Sequence, residues 1–180
     1  ETNDGKSYFI KDQPTKKVKV GPAESMSKSK KNTIDPENMI ENFGADAVRL
    51  FILSDSPPEK DVQWSEQGMV ASHKFVQKLW LLNCKIKEKI SKCSDKKDQE
   101  GDLEIEKFTN QLIFKMNNNL ERFNYNVIIA NMHETYNFLI KILDKEFNQG
   151  ILIKNFRKIL SVMYPVIPHI INECVESNNF

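Results

Sequence analysis

From about residue 66 onward, apolar side chains recur every three or four positions, and that spacing predicts helices with one buried face. Phe75, Leu79, Leu82, Ile86 and Ile90 form the first stripe, after Ser65 as a helix cap. Ile105, Phe108, Leu112, Met116 and Leu120 form the next. A third helix over about 125–147 repeats the pattern at Ile129, Met132, Tyr136, Leu139, Leu143 and Phe147, and a last pair covers about 151–164 and 166–176, parted at Pro165 and Pro168. Residues 91–102 hold no aliphatic or aromatic side chain and are expected to be an exposed connection. Short polar links between amphipathic helices predict an antiparallel bundle.

The first 60 residues differ in kind. Residues 6–20 alternate in a β manner on either side of Asp12-Gln13-Pro14, predicting two strands or a hairpin. Ala23 to Asn32 lacks bulky aliphatics except Met26 and reads as a loop. Asp35-Pro36 opens a short helix over about 36–43 that stops at Gly44. The next helix starts near Ala45 and is expected to bury Val48, Leu50, Phe51 and Ile52 before Ser56-Pro57-Pro58 ends it. Two short strands and two short helices have too little apolar surface for an independent core, so this part looks like the end of a larger α/β unit.

At 180 residues, 39% hydrophobic and 28% charged, the chain has material for a folded core. No apolar run approaches the roughly 20 residues needed to cross a bilayer, which predicts a soluble protein with no membrane partner. The start, Glu1-Thr2-Asn3-Asp4, lacks an initiator Met and a signal-peptide layout, so the N-terminus is expected to be a cut end. Cys84, Cys93 and Cys174 have no C-x-x-C spacing and are odd in number, which fits a reducing, cytoplasmic compartment.

Net charge is +1, yet its distribution is uneven: +4 over residues 1–31, −6 over 32–66, +5 over 67–99 and −2 over 100–180. Of the 26 basic residues 23 are Lys, and Asn and Ile each number 18, a bias that AT-rich coding produces without selection for binding. His73, His133 and His169 have no metal-ligand spacing and read as structural, so no metal site is expected. Cys84 and Cys174 are expected in the helical core, and Trp64 and Trp80 read as core packing rather than base stacking.

Two stretches carry chemistry. Glu24 to Asn32 offers small hydroxyls and flexible ammonium groups with a helix start close behind at Pro36, which suits polyphosphate oxygens. A solvated Ser/Lys loop has the same composition. Lys74, Lys78 and Lys85, within the basic stretch 74–97, advance by four and seven and so share one helical face. That face fits either RNA phosphates or solvent.

Met26-Ser27-Lys28-Ser29 resembles the Lys-Met-Ser-Lys-Ser signature of class I aminoacyl-tRNA synthetases, with Ser25 in place of the first lysine. Lys30-Lys31-Asn32-Thr33-Ile34-Asp35-Pro36, Gly44-Ala45-Asp46-Ala47-Val48-Arg49-Leu50-Phe51, and Ser54-Asp55-Ser56-Pro57-Pro58-Glu59-Lys60-Asp61 through Trp64-Ser65 are similar to the bacterial-type leucyl-tRNA synthetases. Phe123 to Ala130 and Tyr164-Pro165 through Pro168-His169 fit the helical anticodon-binding domain of that family.

The resemblance implies a mainly α fold. Residues 1–64 would be the C-terminal end of a Rossmann-like catalytic domain with its ATP loop, and residues 65–180 a helical anticodon-binding domain. It implies ATP with Mg2+, leucine and tRNA(Leu) as ligands of a monomeric ligase. Met26, Ser27, Lys28 and Ser29 would bind ATP, with Lys28 catalytic as leucine attacks the α-phosphorus; Lys30 or Lys31 would partly replace the missing first lysine. Lys74, Lys78 and Lys85 would meet tRNA. The family's His-x-Gly-His motif is nowhere in these residues, so the chain alone is expected to be inactive. A stand-alone helical RNA-binding module, an isoleucyl or valyl enzyme, and a helical protein-interaction domain are the other readings.

Overall fold

The structure is a computed structural model that describes residues 8–10, 13–19, 21–96 and 98–180. It divides into two compact units, residues 1–35 and 36–180. Parts of the expected hairpin, including Lys6, Ser7, Asp12 and Val20, and the Lys97 of the basic stretch lie outside the described residues.

In the first unit, strands β1 (Tyr8–Ile10) and β2 (Gln13–Val18) pair antiparallel. The register runs Tyr8 to Val18 and Phe9 to Lys17, then shifts to Ile10 opposite Gln13. Pro14 falls within the shifted stretch of β2. The loop discussed below follows.

The second unit is helical: α1 (Pro36–Phe43), α2 (Ala45–Ser54), α3 (Glu66–Lys92), α4 (Asp102–Glu121), α5 (Tyr125–Ile142), α6 (Gln149–Met163) and α7 (Pro168–Asn178). α1 and α2 pack in this unit with the later helices. α1 stops at Gly44, whose N–H donates to the Ile40 carbonyl at 2.8 Å and whose φ of 84° suits a residue without a Cβ. α3 starts where Ser65 Oγ accepts the Gly68 N–H at 3.1 Å.

The expected stripes meet in one core. Phe75, Leu79, Leu82 and Ile86 of α3, Ile105, Leu112 and Met116 of α4, and Ile129, Met132 and Leu139 of α5 are buried together with Phe156, Ile159 and Met163 of α6. Trp80 packs half-buried against them, and Trp64 meets Phe51 edge-on at 5.2 Å between centroids.

Four expectations are corrected. α5 ends at Ile142, not near 147, because Phe147 leaves the helical path and buries its ring against Gly101. The link over 91–102 is not wholly exposed: Gly101 and Asp102 are buried. Asp102 carboxylate oxygens accept the backbone N–H of Gln99 at 3.0 Å and of Asn148 at 2.8 Å, and Gly101 N–H donates to the Glu146 carbonyl at 2.9 Å. α2 buries Asp46, Ala47, Leu50 and Phe51, which rolls Ile52 outward to 51% exposure and leaves Val48 half-buried. Cys84 is exposed, since α3 turns Leu82, Asn83 and Ile86 inward instead. Cys174 is buried, and burial pushes its thiol up to about 12.

Among the described residues, no helix is long and apolar enough to cross a membrane.

Candidate functional site

The loop between β2 and α1 is ordered by its own polar groups. Ser27 N–H donates to Asn32 Oδ1 at 2.9 Å, and the Asn32 amide reaches the Ser25 carbonyl at 3.4 Å. Lys30 N–H bonds back to the Ser27 carbonyl at 3.2 Å, and Lys31 N–H to that of Lys28 at 3.2 Å. The Ser27 and Ser29 hydroxyls are 3.2 Å apart. These bonds bend 27–31 into a tight turn, with Lys31 at φ 53°.

The turn sorts its cations. Lys30 Nζ is 2.9 Å from Glu24 Oε2, so that ammonium is already engaged. Lys28 and Lys31 are exposed and have no carboxylate partner among the described residues. Met26 is exposed rather than packed inside this unit. The structure thus brings Ser27, Lys28 and Ser29 to one short turn, with Ser25 at its base.

On α3, Lys74, Lys78 and Lys85 are exposed and likewise without a carboxylate partner among the described residues. Other lysines of the helix serve the fold. Lys87 donates to the Ser177 carbonyl at the end of α7, Lys89 reaches Glu146 at 3.3 Å, and Lys92 pairs with Glu88, holding that carboxyl below its ordinary range. His133 of α5 lies over the Phe75 ring at 3.9 Å between centroids. Burial first, and the Lys78 charge second, push its imidazole below the ordinary histidine range.

The remaining histidines hold the fold together. His73 Nδ1 donates to the Phe43 carbonyl at 2.8 Å, and its other nitrogen accepts from the Gln77 amide at 3.0 Å. His169 Nδ1 donates to Asp46 Oδ1 at 2.9 Å. Among the described residues there is no group of three or more His, Cys, Asp or Glu arranged to hold a metal ion.

Sequence reasoning did not anticipate the clasp that Asp46 and Arg49 form from α2. Asp46, 5% exposed, also accepts the Ile170 N–H at 2.7 Å, in the first turn of α7. Arg49 donates to the Val166 carbonyl at 2.8 Å and to that of Pro165 at 2.9 Å, just past the end of α6. Helix ends leave unpaired N–H and C=O groups. The corner Tyr164 to Ile167 has no short polar side chain to satisfy them, so α2 lends a carboxylate to the start of α7 and a guanidinium to the carbonyls after α6. The signal was present as opposite charges three apart in an apolar helix.

A family model described as tRNA synthetases class I (I, L, M and V) matches residues 18–65. A second, described as the anticodon-binding domain of tRNA ligase, matches residues 102–179. The chain is 36% identical over 179 residues to a leucine–tRNA ligase of Bartonella henselae, covering 95% of this chain and 20% of that protein. It is 38% identical over 165 residues to a leucine–tRNA ligase of Chelativorans sp. (strain BNC1), covering 88% and 19% respectively. The chain therefore spans about a fifth of the length of these curated relatives. Among solved structures it resembles the agnB2 leucyl-tRNA synthetase of Agrobacterium radiobacter K84, crystallised as a ternary complex with tRNA and LeuAMS. That likeness has a TM-score of 0.76 and 25% identity, over 86% of this chain and 21% of that one. Both matched models thus fall where the Ser/Lys turn and the bundle lie, and the chain belongs to the class I aminoacyl-tRNA synthetases, as a segment of the leucine–tRNA ligase kind.

Proposed function

We propose that this chain supplies a leucine–tRNA ligase with the loop that closes on ATP and the helices that hold tRNA(Leu). Residues 1–64 act as the end of the catalytic domain and residues 65–180 as the tRNA-binding part. The reaction is attack of the leucine carboxylate on the α-phosphorus of ATP with loss of pyrophosphate, followed by transfer of the leucyl group from the adenylate to a hydroxyl of tRNA with release of AMP.

In this reading the Lys28 ammonium meets the triphosphate as negative charge shifts to the leaving pyrophosphate, while the Ser27 and Ser29 hydroxyls donate to phosphate oxygens or hold the turn. Met26 borders the nucleotide. Lys31, unlike Lys30, is available to take the place of the lysine that Ser25 displaces. Mg2+ would arrive with ATP as part of the substrate. A cytoplasmic monomer is the form in which we expect the ligase to work.

The observation that carries this reading is the contrast within one turn: Lys30 is neutralised by Glu24 at 2.9 Å, whereas Lys28 is exposed without a carboxylate among the described residues. ATP–pyrophosphate exchange by the complete ligase tests it. Lys28→Ala should slow leucyl-adenylate formation while leaving leucine affinity close to that of the wild type; an unchanged rate would refute the assignment.

A further inference from the structure

The Ser/Lys loop runs directly into α1, with only Thr33, Ile34 and Asp35 between Asn32 and Pro36. Steps of at most about 3.6 Å per residue keep Asn32 within about 14 Å of Pro36 however that link bends. Asn32 is also the residue that closes the turn, its side-chain oxygen accepting the Ser27 N–H at 2.9 Å. The direction of α1 therefore limits where the turn bearing Lys28 is able to stand.

α1 itself is weakly held. It has eight residues and buries none of them: Met39 and Phe43 are half-buried, and Ile40 is 45% exposed. A helix that short does not persist on its own propensity and depends on what grips its ends. Its C-terminal end pivots on Gly44, whose φ is 84°.

At that pivot a side chain from α3 takes hold. His73 Nδ1 donates at 2.8 Å to the carbonyl of Phe43, in the turn where a helix leaves its carbonyls without partners. The imidazole also lies edge-on to the Phe43 ring, at 5.8 Å between centroids. One turn along α3, the Gln77 amide donates to His73 Nε2 at 3.0 Å, which fixes the tautomer carrying its proton on Nδ1. Ring, donor and tautomer are thus all set for the end of α1.

We propose that His73 is a positioning residue for adenylate formation: by holding the C-terminal end of α1 it sets the pose of the turn that carries Lys28, without touching ATP. This rests on the reading of Lys28 as the partner of the triphosphate. Releasing the Phe43 carbonyl frees α1 to swing about Gly44, and displacing a reacting group by about 1 Å costs on the order of 10²-fold in rate.

The test is ATP–pyrophosphate exchange by the complete ligase in a double-mutant cycle, with leucine affinity and thermal melts followed on each variant. His73→Ala should slow exchange about 10- to 100-fold and leave leucine affinity close to that of the wild type. The same substitution in a Lys28→Ala background should slow it no further, because the two losses share one cause. His73→Phe, which keeps a ring against Phe43 and lacks the donor, should act as His73→Ala does and keeps the test open should alanine perturb folding. His73→Gln, whose amide N–H still reaches for the carbonyl, should recover most of the rate. Losses that multiply across the cycle would make His73 a general support of the fold and overturn the proposal. If Lys28→Ala slows exchange and neither His73→Ala nor His73→Phe does, the latch is wrong while the ligase reading stands. An unchanged rate in Lys28→Ala would overturn both.

Discussion

Two polar connections of similar composition meet opposite fates in this chain. The loop over 24–32 is built from Glu, Ser, Lys and Asn with Met26 its one apolar side chain, and the link over 94–102 from Ser, Asp, Lys, Gln, Glu and Gly with none. The link draws the Asp102 carboxylate into the interior, where it accepts two backbone N–H groups, and it is pinned further by Asn148, whose side-chain oxygen caps α6 through the Ile151 N–H at 3.1 Å and whose amide donates to the Lys96 carbonyl at 3.2 Å. Gln149 adds a bond from its backbone to Ser94 at 3.0 Å and one from its amide to Ile90 at 3.0 Å. The loop satisfies only its own turn and leaves Lys28 in water. An aromatic ring decides the difference, since Phe147 buries beside Gly101 and gives the link an apolar anchor to gather around. Polar groups around such an anchor hold the fold, whereas those without one stay at the surface.

The widest separation between the two should appear in catalysis. Lys28→Ala in the complete ligase should cost about 10²–10³ in the rate of adenylate formation, the usual loss on removing one pre-positioned donor from developing negative charge. Lys30→Ala, which removes a cation already neutralised by Glu24, should cost far less in the same exchange assay. Equal losses would erase the distinction between them.

Stability should reverse the ranking. Asp102→Ala strips a buried acceptor from two N–H donors and should lower unfolding free energy by about 2–3 kcal/mol in urea titrations, whereas Asn32→Ala in the exposed loop should fall within about 0.5 kcal/mol. Gly101→Ala should cost about 1–3 kcal/mol, because an added Cβ would sit 2.2 Å from the Phe147 ring. Pairing it with Phe147→Leu should recover part of that loss if the clash is its cause, and a double-mutant cycle measures the coupling.

The smallest effect is a pH dependence at α5. His133 is held below its ordinary value in the folded state, so the unfolded chain binds more protons as pH falls through the normal histidine range. Stability is then highest above about pH 6.5 and declines toward the lowered folded value. His133→Gln should flatten that decline in thermal melts between pH 7.5 and pH 5 on the order of the wild-type curve's own slope. An unaltered slope would remove His133 from the account.

Much of the bundle was legible because burial and helical period coincide: the stripes on α3 and α4, the stop at Gly44 and the cap at Ser65 all follow from single residues acting locally. The ends and faces that depend on distant partners were not. Phe147 continues the α5 stripe in sequence, and only its fit against Gly101 shows why the helix stops at Ile142. Apolar content alone placed Ile52 inside, yet α2 is rolled so that Asp46 and Arg49 reach a corner more than a hundred residues away. For the same reason periodicity could nominate the Lys74, Lys78, Lys85 face but could not show that Lys87, Lys89 and Lys92 on the same helix are spoken for. In the loop, composition alone favours the solvated reading over phosphate binding; the Glu24–Lys30 pair is what distinguishes one lysine from the next.

The clasp from α2 bears on how this protein can be divided. Because the bend before α7 borrows both its acid and its base from residues 46 and 49, an excised bundle beginning at residue 65 would lose the groups that seal it. A cut at residue 36 keeps the seal with its bend, so that junction is where an autonomous module should be carved out.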